Sequence, residues 1–330
     1  MINFCQFGAG RIGEIHAANI AANRRASLRY VVDVHAAAAT RLAKEHGGTA
    51  VDVGAALADP EVDAVLIASS TDTHADLMER AAEAGKAVFC EKPIDLDMER
   101  VNACLGVVAE KGVPLMIGFN RRFDPSFLAL KSAVRAGRVG TVEMVQIISR
   151  DPGPPPIEYI KVSGGLFRDM MIHDFDMARW LLDEEPVEVY ANAVCLVDSK
   201  IAEAGDVDTA AVTLRTASGK LCQISNSRRA VYGYDQRIEV FGSAGMLQAE
   251  NLRPTSVVHS GAEGVMANPP YNFFLERYPQ AYRAELDHFI DCLETKTAPS
   301  PPGSDGAAAL ALADAAVRSY AERRAVEVEV

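Results

Sequence analysis

Three glycines near the start of the chain constrain its fold more than any other feature. Ile2 to Phe7 is a short apolar run, and Gly8, Gly10 and Gly13 follow it as a G-x-G-x-x-G pattern that opens a helical stretch. The first glycine permits a tight turn, the second lets the backbone approach a pyrophosphate, and the third lets the helix pack closely on the strand. The helix N-terminus would then face the phosphate charge. The pattern therefore predicts a dinucleotide-binding turn.

A second strand-like run, Leu28 to Val32, ends at Asp33, about twenty residues beyond Gly13. A carboxylate in this position accepts hydrogen bonds from the adenosine ribose and repels the extra phosphate of NADP. A turn aspartate that merely ends a strand is the structural alternative. With the glycines beside it, Asp33 predicts NAD as the cofactor rather than NADP.

Short apolar runs alternate with helical segments as far as Gly118, which predicts a parallel sheet with helices on both faces. Ligands of such sheets bind beyond the carboxyl ends of the strands. Because of that position, more than because of their residue types, the polar residues that follow each strand are candidates for cofactor binding. With the glycine loop included, the predicted cofactor-binding residues are Gly8, Gly10, Arg11, Ile12, Gly13, Asp33, Ser69, Ser70, Thr71, His74, Glu91, Lys92 and Asn120.

The length of 330 residues favours two domains. From Thr141 onward, strand-like runs with polar alternation follow one another without helices, which predicts an antiparallel or mixed sheet. The predicted fold class is therefore α/β, with an N-terminal Rossmann domain and a C-terminal α+β domain that has a large, open, mostly antiparallel sheet. We place the dinucleotide-binding domain at residues 1–122 and the substrate-binding and oligomerisation domain at residues 123–330, with C-terminal helices packing back on the first domain.

Charge and cysteine usage exclude several classes of function. A net charge of −12 argues against nucleic acid, because a phosphate backbone is bound by basic surfaces. No signal sequence or membrane-length apolar run is evident, so we expect a cytoplasmic protein that binds no membrane. The six cysteines and seven histidines are dispersed, so the sequence predicts no metal site.

The stretch from Gly164 to Trp180 carries the clearest catalytic pattern, because it reads as a glycine hinge running into a short amphipathic helix. Asp169 and His173 are four residues apart and would share one face of an α-helix. An imidazole exchanges protons near neutral pH, and a carboxylate can orient it and stabilise its cation. The pair therefore suits removal of a hydroxyl proton, although a capping or surface pair is the structural alternative. Lys92, at a strand end, could hold the oxygen of the same hydroxyl.

Several motifs together resemble one known family. They are GAGRIG at the first turn, VDV around Asp33, SSTDTH from Ser69, EKP at Glu91 to Pro93, GFNRRFD from Gly118, GGLFRDMMIHDFD from Gly164 and YGYD from Tyr232. Over nearly the whole chain this set resembles the Gfo/Idh/MocA oxidoreductases. Within that family, the segment from Ser149 to Gly165 is most similar to that of the bacterial inositol 2-dehydrogenases, which oxidise myo-inositol to scyllo-inosose with NAD.

The resemblance implies roles for particular residues. Lys92, Asp169 and His173 would be catalytic, with His173 as the general base, and these three would contact the polyol together with Asp151 and Tyr234. It also implies a homodimer or homotetramer formed through the C-terminal sheet. The long loop at 151–165, rich in proline and glycine, would border the substrate.

Three alternatives stay open on the sequence alone. The same chemistry could act on another cyclitol, such as scyllo- or chiro-inositol, or on a pyranose, because a fold does not determine a substrate. Asp169, His173, Asp174 and Asp176 could form a metal site. The chain could also be a non-catalytic NAD-sensing protein built on the same fold.

Overall fold

The structure is a computed structural model that describes residues 1–329 and divides into two compact units. The first comprises Met1–Phe123 and Gln280–Leu310, and the second comprises Asp124–Pro279 and the chain from Ala311 onward. Val330, the last residue of the predicted second domain, lies outside the described residues.

The strands of the two units are, in chain order, β1 (Ile2–Phe7), β2 (Ala26–Val32), β3 (Thr49–Ala50), β4 (Ala64–Ile67), β5 (Ala87–Glu91), β6 (Leu115–Gly118), β7 (Val142–Arg150), β8 (Pro186–Val194), β9 (Thr209–Thr216), β10 (Leu221–Ser227), β11 (Asp235–Gly242), β12 (Gly245–Ala249), β13 (Val258–Gly261), β14 (Gly264–Ala267) and β15 (Val326–Glu327).

The α-helices are α1 (Arg11–Ala22), α2 (Ala36–His46), α3 (Val53–Ala58), α4 (His74–Glu83), α5 (Met98–Lys111), α6 (Pro125–Arg135), α7 (Ile157–Ile160), α8 (Ile172–Leu182), α9 (Ser199–Glu203), α10 (Phe274–Arg277), α11 (Pro279–Thr295) and α12 (Gly303–Glu322).

The first unit is built on a six-stranded parallel sheet in the order β3-β2-β1-β4-β5-β6. The order reverses between β1 and β4, and this reversal is where open α/β sheets bind their ligands. Aromatic side chains of the sheet and of α11, including Phe4, Phe89 and Phe289, pack in its core. The parallel Rossmann sheet predicted from the alternation of strands and helices is confirmed.

The second unit is built on a seven-stranded mixed sheet in the order β12-β11-β7-β10-β9-β8-β15. Only β7 and β10 pair in parallel, and the other neighbours are antiparallel. Alternate residues of β8 and β9 are buried and exposed, so one face packs on the unit and the other does not. The open, mostly antiparallel sheet predicted for this region is confirmed.

Local sequence signals explain where several helices begin and end. Asp97 and Asp124 cap α5 and α6, since each side chain accepts a hydrogen bond from a backbone N–H in the first turn. Gly47 and Gly112 end α2 and α5 in the left-handed conformation that glycine adopts without strain. No helix among residues 1–329 is both long and apolar enough to cross a membrane.

The predicted α-helix across Asp169 and His173 is wrong in one respect. Leu166–Met170 forms a π-helical turn, in which the N–H of Met171 donates to the carbonyl of Leu166 at 2.9 Å, and α8 begins only at Ile172. The wider turn inserts one residue into the helical repeat, which is typical of functional sites. Asp169 and His173 therefore belong to two different helical segments.

A buried carboxyl group on α11 is unusual in the first unit. Glu285 is 0% exposed, and neither of its carboxylate oxygens has a hydrogen-bond partner among the described residues. Burial, and then the charge of Glu91, raise the pKa of Glu285 well above its usual value. The folded state therefore retains a proton that the unfolded chain releases above a pKa of about 4.5.

This proton makes stability depend on pH with a predictable sign. Because the pKa of Glu285 is raised in the folded state, its contribution to the free energy of unfolding is complete below the unfolded pKa. That contribution is lost as pH rises through the folded pKa. We expect Glu285→Gln, which stays neutral, to flatten the fall in unfolding free energy as pH rises above about 4.5, measured by urea titration. Glu83→Gln, at an exposed position of α4, is the control. Parallel pH profiles for the wild type and Glu285→Gln would contradict the assignment.

Candidate functional site

The turn between β1 and α1 is closed by contacts that only glycine allows. A Cβ atom on Gly8, whose φ is +102°, would lie 2.4 Å from the carbonyl oxygen of Ala68, and one on Gly13 would lie 2.3 Å from the carbonyl oxygen of Gly8. The buried amide of Gln6 donates to the carbonyls of Gly8 and Gly13 at 2.9 and 2.8 Å. The turn is therefore held rigidly beside the end of β4.

Gly10 differs from the other two glycines, because nothing lies within 4 Å of where its Cβ would be. The open space at Gly10 lies at the N-terminus of α1, where backbone N–H groups and the helix dipole favour an anion. Asp33 borders this turn, since its carboxylate accepts from the N–H groups of Ala9 and His35, both at 2.7 Å. The predicted pyrophosphate and ribose positions therefore lie next to each other.

The other predicted cofactor residues follow strands at the same edge of the sheet. The hydroxyls of Ser69 and Thr73 are 2.7 Å apart and close the turn after β4. The buried ring of His74 lies within hydrogen-bond distance of the carbonyls of Ser69 and Pro93, at 3.1 and 2.8 Å. Burial lowers the pKa of His74, and the neutral ring can donate to only one of these two carbonyls at a time.

Glu91 and Lys92 have different surroundings. Glu91 is buried and lies 2.7 Å from Nε2 of His16, and a Cβ on Gly118 would be 3.0 Å from its carboxylate. Glu91 therefore supports the loop that carries Lys92, and its contact with the cofactor stays a prediction. Lys92 is half-buried and precedes a cis peptide bond to Pro93. Asn120, after β6, is buried.

Glu91, His16 and Glu285 also form a cluster of potential metal ligands. Their ligand-type atoms lie within 4.8 Å of one another, and all three residues are buried. Because His16 and Glu91 are already at hydrogen-bond distance, their atoms are closer together than two ligands of one ion need to be. The cluster fits a retained proton better than a metal ion.

In the second unit, the structure places Asp169 between two other side chains. Tyr159, from α7 within the loop at 151–165, donates its hydroxyl to Oδ1 of Asp169 at 2.8 Å. Nη2 of Arg228 lies 3.5 Å from Oδ2 of Asp169. His173 is half-buried in the first turn of α8. The loop predicted to border the substrate thus contacts a predicted catalytic carboxylate.

Asp151 and Tyr234 lie at one end of three neighbouring strands. Arg150 pairs with Ser227 of β10 and with Asp235 of β11, so the residues just beyond these positions meet at a common edge. The backbone N–H of Asp151 donates to Ser227 at 2.9 Å. The structure therefore brings Asp151 to the same edge as the segment that carries Arg228.

Tyr234 is buried rather than presented on the surface. Its ring packs edge-on against Phe273 and Tyr278, with ring centroids 6.4 and 6.0 Å apart. The more exposed ring of the same motif belongs to Tyr232, which donates its hydroxyl to Asp235 at 2.6 Å. Although burial opposes its ionisation, hydrogen bonds from Arg237, Tyr232 and Asn251 lower the pKa of Asp235.

The remaining acidic residues of α8 have packing partners. Asp174 and Asp176 are buried; the amide of Asn226 donates to Asp174 at 2.9 Å, and Arg179 lies 4.0 Å from Asp176. These contacts engage two of the three carboxylates named in the metal-site alternative. They tie α8 to β10 and to its own last turn.

Sequence reasoning missed three residues that shape the two sites. Gln6, His16 and Arg228 are buried polar side chains whose partners are distant in sequence or are backbone atoms. A glutamine inside an apolar strand was the one available signal, because a buried polar group needs a hydrogen-bond partner. Nothing local indicated the partners of His16 or Arg228.

Comparisons with known proteins agree with this geometry. Residues 2–119 match the model of the oxidoreductase family with an NAD-binding Rossmann fold, and residues 127–248 match that of the GFO/IDH/MocA C-terminal domain. The chain is 55% identical to inositol 2-dehydrogenase of Rhizobium meliloti over 99% of each chain. It is 48% identical to myo-inositol 2-dehydrogenase of Thermotoga maritima over 98% of this chain and 97% of that protein.

A solved structure extends the comparison. Scyllo-inositol dehydrogenase from Lactobacillus casei, with bound NAD(H) and scyllo-inositol, has a TM-score of 0.93 and 30% identity, covering 99% of each chain. The residues of the first unit fit the same cofactor, because the glycine turn has room at Gly10 and Asp33 lies beside it. NAD is the cofactor of this chain.

Asp33 makes cofactor choice testable. Asp33→Asn keeps the size of the side chain and one acceptor oxygen but removes the charge that would repel a 2′-phosphate. A unit charge near a phosphate is worth about 1–4 kcal/mol, so we expect the NAD:NADP ratio of kcat/KM to fall at least about fivefold. Glu83→Gln, which removes a distant exposed carboxylate, should leave the ratio unchanged. An unchanged ratio in Asp33→Asn would show that discrimination lies elsewhere.

Proposed function

The chain belongs to the Gfo/Idh/MocA family of NAD-binding oxidoreductases, and on that premise we propose that it oxidises myo-inositol to scyllo-inosose. The observation that carries the proposal is its likeness, from end to end, to enzymes named for inositol oxidation. The second unit supports the proposal, because two neighbours hold Asp169 and the half-buried His173 follows it by four residues.

His173 is the general base of the proposed reaction. An imidazole has the right basicity to accept the hydroxyl proton of a polyol near neutral pH. Asp169 stabilises the resulting cation, and its hydrogen bond from Tyr159 at 2.8 Å fixes the direction of its carboxylate. When bound, NAD supplies the hydride acceptor.

Three further residues complete the assignment. Lys92 donates a hydrogen bond to the oxygen that loses its proton, where a cation stabilises developing negative charge. Asp151 accepts from a ring hydroxyl of the substrate, as a carboxylate at a strand edge can do. The ring of Tyr234 is buried among aromatic side chains, and its hydroxyl donates a hydrogen bond to an oxygen of the substrate.

A second candidate substrate is scyllo-inositol, which differs from myo-inositol in the orientation of one hydroxyl. The Lactobacillus casei enzyme with scyllo-inositol bound has the same fold, which favours this candidate over a pyranose. Both candidates use the same proton and hydride chemistry. They differ in the configuration of the carbon at which myo-inositol is oxidised, and therefore in how the ring must lie to present its hydrogen to NAD.

We further propose that the protein works in a reducing, cytoplasmic compartment. All six cysteines have free thiols, and five of them are buried. Burial raises the pKa of the Cys104 thiol to about 12, so it stays in the unreactive protonated form. Activity recovered from a periplasmic extract rather than from cytosol would contradict this proposal.

The protein assembles, in our proposal, as a homodimer or homotetramer through the outer face of the seven-stranded sheet. Large apolar side chains are exposed on that sheet, namely Tyr190 and Val194 of β8, Phe241 of β11 and Met246 of β12. A second copy of the chain would remove them from water. Sedimentation at micromolar concentration should give a dimer or tetramer mass, and Tyr190→Glu should lower that mass; a wild-type monomer would reject the proposal.

The first experiment is an NADH absorbance assay with myo-inositol, scyllo-inositol and glucose, each with NAD and NADP. We expect the highest kcat/KM with myo-inositol and NAD. A preference for scyllo-inositol would support the second candidate and reject the first. Turnover of glucose alone would reject both inositol candidates. No turnover of any polyol would favour a non-catalytic NAD-binding protein.

The same assay tests the base. His173→Ala should lower kcat by about 10²–10⁴, the usual contribution of an acid–base group. His259→Ala, in the exposed β13–β14 hairpin of the same unit, provides the matched control and should behave as the wild type. A folded His173→Ala protein with nearly normal turnover would reject His173 as the base.

A further inference from the structure

Arg228 is a buried cation that the proposed reaction does not use. It directly follows β10 and is 1% exposed, and its backbone N–H donates to the carbonyl of Asp208 at 2.8 Å. Burying a guanidinium is costly unless nearby charges compensate it. Two carboxylates do so: Nη2 lies 3.5 Å from Oδ2 of Asp169 and 3.7 Å from Oδ2 of Asp206.

Asp206 in turn holds the beginning of the π turn. Its Oδ1 accepts from the N–H of Leu166 at 3.0 Å, and its other oxygen is the one that faces Arg228. Gly165, with φ at +80°, leaves no room for a side chain, because a Cβ there would lie 2.6 Å from Oδ1 of Asp206. One guanidinium therefore faces both Asp206, which holds the start of the turn, and Asp169 within the turn.

The two oxygens of Asp169 thus meet different neighbours. Oδ1 accepts from Tyr159 at 2.8 Å, and Oδ2 faces Arg228. A carboxylate contacted on both oxygens has less freedom to rotate about its last torsion, which is how supporting residues orient a reacting group.

We propose that Arg228 is a positioning residue that fixes the orientation of Asp169 toward His173 and offsets part of its charge. This inference rests on the proposed function, because it assigns a support to the Asp169–His173 pair. Arg228 itself touches neither substrate nor cofactor in this account.

The charges around the pair determine the sign of the expected effect. Within the second unit the titratable groups near Asp169 are Tyr159 of α7, Asp206, Arg228 and, on its own segment, Arg168, His173 and Asp174. Arg168 is paired with Asp314 at 2.6 Å, and Asp174 accepts from Asn226 at 2.9 Å. The charge of Asp174 is the same in every variant, so Arg228 and Asp206 are the charges whose removal is tested at His173.

The two removals should have opposite effects. Arg228→Met leaves Asp169 uncompensated, which favours the imidazolium form of His173 and should move its titration to higher pH by about one unit. Asp206→Asn removes the carboxylate that competes with Asp169 for Arg228, while its amide oxygen can still accept from the N–H of Leu166. The titration of His173 should therefore move to lower pH. A general loosening of the structure would not produce shifts of opposite sign.

The experiment is an NMR titration of His173 in the full-length protein with isotope-labelled histidine, assigned with His173→Ala. The variants are Arg228→Met, Arg228→Lys, Asp206→Asn and, as a matched control, Arg229→Met, whose side chain is exposed. We expect the opposite shifts described above, a titration near that of the wild type for Arg228→Lys, and no shift for Arg229→Met. If Arg228→Met does not fold, Arg228→Lys and Asp206→Asn decide: an unmoved Asp206→Asn titration overturns the proposal.

Turnover of the same variants separates this inference from the proposed function. With myo-inositol, Arg228→Met should lower kcat by about 10²-fold, as misplacing a catalytic group does, while the Kd for NAD stays unchanged. Normal kcat in a folded Arg228→Met protein would overturn the positioning role alone. If the wild type oxidises no polyol, the proposed function fails, and the NMR titration still tests whether Arg228 controls His173.

Discussion

The close approach of Gly8 to the end of β4 is the constraint on which the cofactor side of the molecule depends. With a Cβ 2.4 Å from the Ala68 carbonyl, any other residue would push β1 and its turn away from β4. Gln6 then ties the turn to the first residues of α1 through two short hydrogen bonds. Because both contacts lie where the strand order reverses, they bring the N-terminus of α1 to the point where such sheets bind dinucleotides.

Buried charges are the second common theme, and each unit compensates them in its own way. In the first unit, burial raises the pKa of Glu285 beside the His16–Glu91 pair. The carboxyl group retains its proton, which avoids the free-energy cost of burying a charge. The second unit instead surrounds the buried carboxylate of Asp235 with donors, which lower its pKa. At Asp169, a phenol and a guanidinium face the two carboxylate oxygens. A carboxylate held in one orientation is what a neighbouring general base requires.

The order and type of most elements could be predicted, because they follow from periodicity and from rules for parallel sheets. Ile2–Phe7 was located to the residue, and the predicted run Leu28–Val32 lies within β2. The π turn could not be predicted, because a spacing of four residues between Asp169 and His173 fits an α-helix equally well. The short β13–β14 hairpin and the short helices also carry too few residues for a periodic pattern.

The candidate site was predictable only where a motif carries its own chemistry. The glycine turn and Asp33 belong to such a motif, whereas Arg228 acts through Asp169, which lies 59 residues earlier in the chain, and no local pattern records that contact. Folding brings such partners together, so only the structure identifies them.

The central claim is that this chain moves a hydride from a carbinol carbon of a cyclitol while His173 takes the hydroxyl proton. The most direct measurement uses myo-inositol carrying deuterium on its reacting carbon, with the fate of the label followed by mass spectrometry. The account predicts that the deuterium appears in the reduced cofactor and none in water. Deuterium released to the solvent would contradict it.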